Sequence, residues 1–154
     1  MNILVTVGTT KFESLVEFVH KFASQHGEHS YIFQIADGTY RPEGFAFFEF
    51  TNDILGKYEW ADVVITHAGA GSTYQLLELG KVIILVPNLE RVDKHQLDLA
   101  NYMSDQNFAL VVHGLDELND VFTNFSSINL KPYSKENFFL QKEIAHYIKG
   151  LYDL

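Results

Sequence analysis

Short apolar runs rich in β-branched residues alternate with amphipathic stretches along the chain. Asn2–Val7 reads as the first strand. Phe12, Leu15, Val16, Val19, Phe22 and Ala23 then recur at helical spacing, which predicts a helix opened by a Thr10/Glu13 capping box and closed by Gly27. Residues 30–36 and 45–50 read as strands, separated by the turn chemistry of Asp37-Gly38 and Arg41-Pro42-Glu43-Gly44. Asp53–Trp60 reads as a short helix and Asp62–Thr66 as a fourth strand. A helix follows, with Ser72 and Gln75 as its expected capping box, Leu76, Leu77 and Leu79 on its apolar side, and Gly80 as the left-handed residue after its end. Lys81–Val86 is a fifth strand, stopped by Pro87. Asp93 and Gln96 open the next helix, which turns Leu97, Ala100 and Met103 inward. A strand is expected over 109–113, a helix over 116–122, a polar loop over 125–133 and a terminal helix over 134–154, with Phe138, Ile144, Ile148 and Leu151 on one side. Strands alternating with helices predict an α/β chain, a Rossmann-like parallel sheet with helices on both faces. The expected organisation is one domain spanning 1–154.

Composition narrows the class. A chain of 154 residues that is 47% hydrophobic holds one core of ordinary size. It contains no cysteine, which excludes disulfides and thiolate metal sites. Apolar runs such as Val82–Val86 fall far short of the roughly 20 residues a membrane-spanning helix needs. The first residues read as a strand rather than a secretory leader, so a cytoplasmic setting is expected. With a net charge of −9 and scattered basic residues, no nucleic-acid-binding stripe is visible.

In an open parallel α/β sheet, ligands sit beyond the carboxyl ends of the strands. Three segments converge there: Gly8-Thr9-Thr10 after the first strand, His67-Ala68-Gly69-Ala70-Gly71-Ser72 after the fourth, and Pro87–Gln96 after the fifth. A glycine loop opening a helix presents bare backbone N–H groups and the positive end of the helix dipole, which together suit a diphosphate. No Lys precedes Ser72 as a P-loop requires, and Tyr74 stands where a dinucleotide fingerprint needs its third glycine. Glu90 lies at the spacing of a ribose-binding acid, which keeps a dinucleotide reading open. There is no Gly-x-Ser-x-Gly elbow of a hydrolase. His67, Asp93 and His95 match no standard metal spacing, and no metal is expected. Ser72, Gln75, Asp93 and Gln96 have capping roles to play on any reading. His20, His26, His29, His113 and His146 read as structural or solvated.

The segments A-D-V-V-I-T-H-A-G-A-G-S and P-N-L-E-R-V-D-K-H-Q-L-D-L-A, the opening V-T-V-G-T-T and the stretch F-E-F-T-N-D-I-L-G-K-Y-E-W-A-D resemble the donor-binding, C-terminal half of the GT-B glycosyltransferases of family 28 type. The similarity is greatest to the single-domain Alg13-like and PssE-like subunits and covers Met1 to about Val112. The resemblance implies a UDP-sugar-binding subunit of a two-component inverting glycosyltransferase. Its reaction would add a hexose or N-acetylhexosamine, such as GlcNAc, to a lipid-diphosphate-linked acceptor. Gly69–Ser72 would lie against the UDP diphosphate, with His67 beside it as a weak catalytic candidate. The backbone from Thr51 to Ile54 would meet the uracil. Asp93, His95 and Gln96 would hold the sugar hydroxyls, and Gly8, Thr9 and Thr10 would border the cleft. Gln75 stands where the family usually places a Glu on the ribose hydroxyls, and Gln34-Ile35-Ala36 replaces a commoner Gln-Ile-Gly.

A complete GT-B enzyme faces two such domains across a cleft. The resemblance therefore implies a membrane-anchored, acceptor-binding partner of the Alg14/PssD type, which would carry the general base and the lipid-linked acceptor. The chain itself would sit at the cytoplasmic face of the membrane through that partner, against which 134–154 would pack. Self-association of the chain is a further possibility. No cofactor is implied beyond the UDP-sugar substrate, and transfer without a metal is expected. The alternative is a non-catalytic stabilising subunit whose nucleotide site Gln75 marks as degraded.

Overall fold

The computed structural model describes residues 1–90, 95–124, 129–135 and 140–152. Its strands are β1 (Asn2–Thr6), β2 (Ser30–Gln34), β3 (Ala46–Phe48), β4 (Val63–Thr66), β5 (Val82–Leu85) and β6 (Leu110–Val111). Its helices are α1 (Glu13–Gln25), α2 (Ile54–Trp60), α3 (Ala70–Glu78), α4 (His95–Asp105), α5 (Glu117–Thr123) and α6 (Gln141–Tyr152). The strands form one parallel sheet in the order β3-β2-β1-β4-β5-β6. This is the doubly wound arrangement, α/β as the alternating pattern predicts, and its strand order reverses between β1 and β4. The two strands run in register from Ile3↔Val63 to Thr6↔Thr66, so their carboxyl ends finish level with one another.

Period-two alternation sorts the strand side chains into two cores. Ile3, Val5, Val63, Ile65 and Ile84 point to one face, where Leu15, Val16 and Val19 of α1 and Leu118 of α5 cover them. Leu4, Val64, Ile83 and Leu85 point to the other, under Tyr58 of α2, Leu76 and Leu77 of α3 and Met103 of α4. Both faces are dry, which is why these strands read as unbroken apolar runs.

Local signals are borne out in part. Asp53 caps α2 by accepting from Gly56 N at 3.1 Å. Gly80 takes φ +67, with Gly80 N donating to Leu77 O and Lys81 N to Leu76 O, a Schellman closure of α3. Two expected capping boxes do not form. Helix α1 begins at Glu13 behind Phe12, whose side chain is in the core and makes no cap bond. The Glu13 carboxylate instead accepts from Thr39 N, from Thr39 Oγ1 at 2.8 Å and from Tyr40 N at 3.2 Å, pinning the loop after β2. Those bonds, the one from Thr39 N foremost, hold its carboxyl below the usual carboxylate range. Helix α3 begins one turn earlier than expected, with Gly69 at the N-cap and Ser72 inside the first turn. Gly27 is outside the left-handed region, and α1 ends at Gln25. Asp93 and Phe138 lie outside the described residues.

Helix α6 is separate from both cores among the described residues. Ile144, Tyr147, Ile148 and Leu151 are 45%, 68%, 48% and 55% exposed and follow one another at helical spacing. No helix among the described residues is long and apolar enough to cross a membrane.

Candidate functional site

The end of β1 and the end of β4 each lead into a glycine turn, and His67 locks the two together. A Cβ on Gly8 would lie 2.5 Å from His67 Cε1, and one on Gly69 would run into His67 Nε2. The imidazole therefore fills the space that two missing side chains leave open. Gly8 also adopts φ +69, a backbone that favours glycine. The turn is fixed from the other side by Gln34, buried at the carboxyl end of β2. Its Nε2 donates to Gly8 O at 2.9 Å, and its Oε1 accepts from Thr6 Oγ1. Thr66 Oγ1 lies 3.4 Å from His67 Nδ1.

Beyond this lock a cavity of about 630 Å³ opens above the point where the strand order reverses, within the roughly 300–1,000 Å³ of small-molecule sites. Gly71, Ser72, Tyr74, Gln75 and Glu78 of α3 form one wall. Phe50, Thr51, Ile54 and Tyr58, from the β3–α2 connection and α2, form the opposite wall. Thr6, Gly8, Thr9 and Gln34 make the floor. The first backbone bond of α3 is Thr73 N to Gly69 O at 3.0 Å. The N–H groups of Ala70, Gly71 and Ser72 precede it and have no partner within the helix. A Cβ on Gly71 would meet nothing within 4 Å, so the wall there is bare backbone. Burial raises the phenol of Tyr74, with Tyr102 and Tyr133 adding to the shift. Asp53 N donates to Thr51 Oγ1 at 3.0 Å, which shapes the rim below Phe50.

The structure thus brings Gly8, Thr9, Thr51, Gly71, Ser72 and Gln75 to one cavity. His67, buried Ala68, Gly69 and Ala70 build the turn that shapes it, and Thr10 continues the β1 turn outside the wall. His95 and Gln96 do not line it. His95 is exposed at the start of α4, and Gln96 Oε1 accepts from Asn88 N at 2.9 Å, bracing the loop after β5. Glu90, the acid a dinucleotide reading needs on the ribose, lines a separate cavity and accepts from Ser14 Oγ at 2.6 Å. Among the described residues no group of three or more His, Asp or Glu side chains could hold a metal ion.

Sequence reasoning missed Phe50, Tyr58, Tyr74 and Glu78 as wall residues and left Gln34 without a role. Gln34 had a signal, being a polar residue at the carboxyl end of an otherwise apolar strand. Glu78 had one too, standing three residues beyond Gln75 and so on the same helix face.

The profile of the glycosyltransferase family 28 C-terminal domain matches residues 2–142. The chain is 39% identical over 114 residues to the UDP-N-acetylglucosamine transferase subunit ALG13 of Homo sapiens, covering 66% of this chain and 10% of that protein. It is 31% identical over 136 residues to the subunit of the same name from Yarrowia lipolytica, covering 77% of this chain and 68% of that one. The crystal structure of Acinetobacter baumannii MurG superposes with a TM-score of 0.66 at 23% identity, over 81% of this chain and 41% of MurG, and so shares the fold. The chain therefore spans about a tenth of its human relative and about two thirds of its Yarrowia one. The profile match runs over nearly the whole sequence, and the doubly wound sheet agrees with it. This chain belongs to the family of glycosyltransferase family 28 C-terminal domains.

Proposed function

We propose that the chain is the donor-binding component of a UDP-sugar-dependent inverting glycosyltransferase. The observation that carries this is the cavity at the strand-order reversal, walled by the bare N-terminal turn of α3 at Gly71 and Ser72. The N–H groups of Ala70–Ser72 and the helix dipole receive the diphosphate. The base lies across the cavity against Phe50, Thr51 and Ile54, and the nucleotide's sugar lies along the α3 wall past Gln75. Hydroxyls of the transferred sugar fall beyond the cavity wall toward the β5–α4 side, where the resemblance implies Asp93, His95 and Gln96 as contacts although the last two do not line the cavity itself.

In the reaction an acceptor hydroxyl oxygen attacks the anomeric carbon from the face opposite the phosphate. The bond from that carbon to the β-phosphate oxygen breaks, and its electron pair leaves with UDP. The acceptor's proton passes to a base on the partner chain. The α3 N–H groups stabilise the charge gathering on the departing diphosphate, and one such preorganised donor contributes about 3–4 kcal/mol. We assign the donated sugar to the hexose or N-acetylhexosamine class, with GlcNAc first because the named relatives are UDP-N-acetylglucosamine transferase subunits. The acceptor is lipid-diphosphate-linked and is held by a membrane-anchored partner that covers the apolar side of α6.

Calorimetric titration of the full chain with UDP, NAD and ADP tests the reading. Saturable binding of UDP, abolished in Ser72→Tyr, is expected. Binding of NAD in preference to UDP, or UDP binding that Ser72→Tyr leaves intact, overturns it. A second reading has one observation in its favour, the neutral Gln75 on the α3 wall, and makes the chain a stabilising subunit with a degraded site. It expects weak UDP binding that Gln75→Glu strongly restores.

A further inference from the structure

The wall of the cavity carries one carboxylate among the described residues, and it is not at the position where the resemblance expects one. Glu78 lies three residues past the neutral Gln75 and seven past Gly71, on the helix face that lines the cavity. We infer that Glu78 reads the ribose of the nucleotide, taking its two neighbouring hydroxyls in place of an acid at Gln75. This rests on the nucleotide reading above.

Distance, chemistry and setting converge on it. At 1.5 Å per residue, Gln75 stands about 4.5 Å and Glu78 about 9 Å along the helix axis from Ser72. A nucleotide whose diphosphate lies on the first turn carries its ribose along that same wall before its base reaches Phe50 and Thr51. The 2′ and 3′ hydroxyls are two adjacent donors, and an ionised carboxylate is acceptor-only with two oxygens to meet them. The Gln75 amide offers one acceptor oxygen and an NH₂ that itself needs an acceptor.

Glu78 is also held in place. Lys135 Nζ lies 2.8 Å from its Oε1, and the Tyr133 ring, two residues earlier in the same segment, packs on Tyr74 with centroids 5.9 Å apart. That segment is anchored in turn by Lys131 N donating to Asn107 O at 2.8 Å and by Asn107 Nδ2 donating to Asn129 O at 3.1 Å. An ion pair as exposed as Glu78–Lys135 does little for fold stability. Its effect is to hold the carboxylate in one orientation at the rim of the cavity.

The test is calorimetric titration of the full chain, wild type and variants, with UDP, 2′-deoxy-UDP and 3′-deoxy-UDP. Wild type is expected to bind UDP about tenfold or more tighter than either deoxy nucleotide, as a hydrogen bond to a charged group implies. Glu78→Gln should lose UDP affinity by a similar factor, bind all three ligands alike and keep the wild-type melting temperature. Gln75→Ala should retain the preference for UDP. Three results overturn the inference while leaving the nucleotide reading intact: wild type without a preference, Glu78→Gln with an unchanged preference, or a preference lost in Gln75→Ala alone. Absence of UDP binding by the wild-type chain overturns both.

Discussion

Two glycines of the same loop, Gly69 and Gly71, do opposite jobs, and substitution separates them. Gly69 is closed off by the His67 ring, so Gly69→Ala must push the imidazole out of the lock. Overpacking of this kind costs about 1–3 kcal/mol, and Gly8→Ala adds the strain of a side chain at φ +69. Gly71 opens onto the cavity, and a methyl there touches no protein atom. Gly71→Ala should leave the denaturation midpoint unchanged or raise stability by up to about 1 kcal/mol through helix propensity. The same methyl should weaken UDP binding by about tenfold, or 1.4 kcal/mol. Urea denaturation and UDP titration of the two variants check this. Equal loss of stability in both, with no binding effect specific to Gly71→Ala, would mean that the glycines serve only the turn. Ala36 is a related case. It stands where the resemblance expects a glycine, and its φ of 50 is the left-handed backbone that a glycine would serve, with the methyl fully buried.

At the level of elements, the apolar pattern specified type and order well, because the central strands β1, β4 and β5 are dry on both faces and helices α1 to α5 each have a covered side. It specified helix starts poorly. Ser72 and Gln75 have capping-box spacing, yet the β4–α3 turn tightens around His67 and the helix begins at Ala70. Thr10 and Glu13 have the same spacing, but Glu13 finds its partners 26 residues away, at Thr39 Oγ1. Capping rules weigh neighbours in sequence, and here contacts across the fold outweigh them. The same limit hid the far wall of the site, since Phe50 and Tyr58 join Gly71 only once β1 and β4 lie side by side. Helix α6 shows the reverse, a regular amphipathic pattern whose apolar side covers nothing in the described fold. On the proposed function, deleting 134–154 should therefore leave a cooperatively folding, nucleotide-binding core and abolish binding to the proposed partner. Ile144→Asp and Ile148→Asp should do likewise, each changing stability by no more than about 0.5 kcal/mol, as exposed substitutions do. Co-purification with the proposed acceptor-binding chain checks it, and a truncated chain that still binds would remove α6 from that interface.

For the molecule as a whole, the sheet gathers what the sequence disperses. Gly8, Gln34, Thr51 and Gly71 come from four separate connections and strand ends, and the level finish of β1 and β4 brings them to one opening. The Lys135–Glu78 bridge extends that assembly, because it fastens the segment ahead of α6 to the rim of the cavity. A thermodynamic cycle follows from it. If a chain seated on α6 settles Lys135 against Glu78 and so tightens UDP by some factor, UDP must tighten that chain's binding by the same factor. Measuring UDP affinity with and without the partner, and partner affinity with and without UDP, should return two equal ratios greater than one, both falling toward one in Lys135→Ala. The proposed assembly would then be strongest when loaded with donor and loosest when the nucleotide has gone, so that donor supply itself would govern how much of it forms.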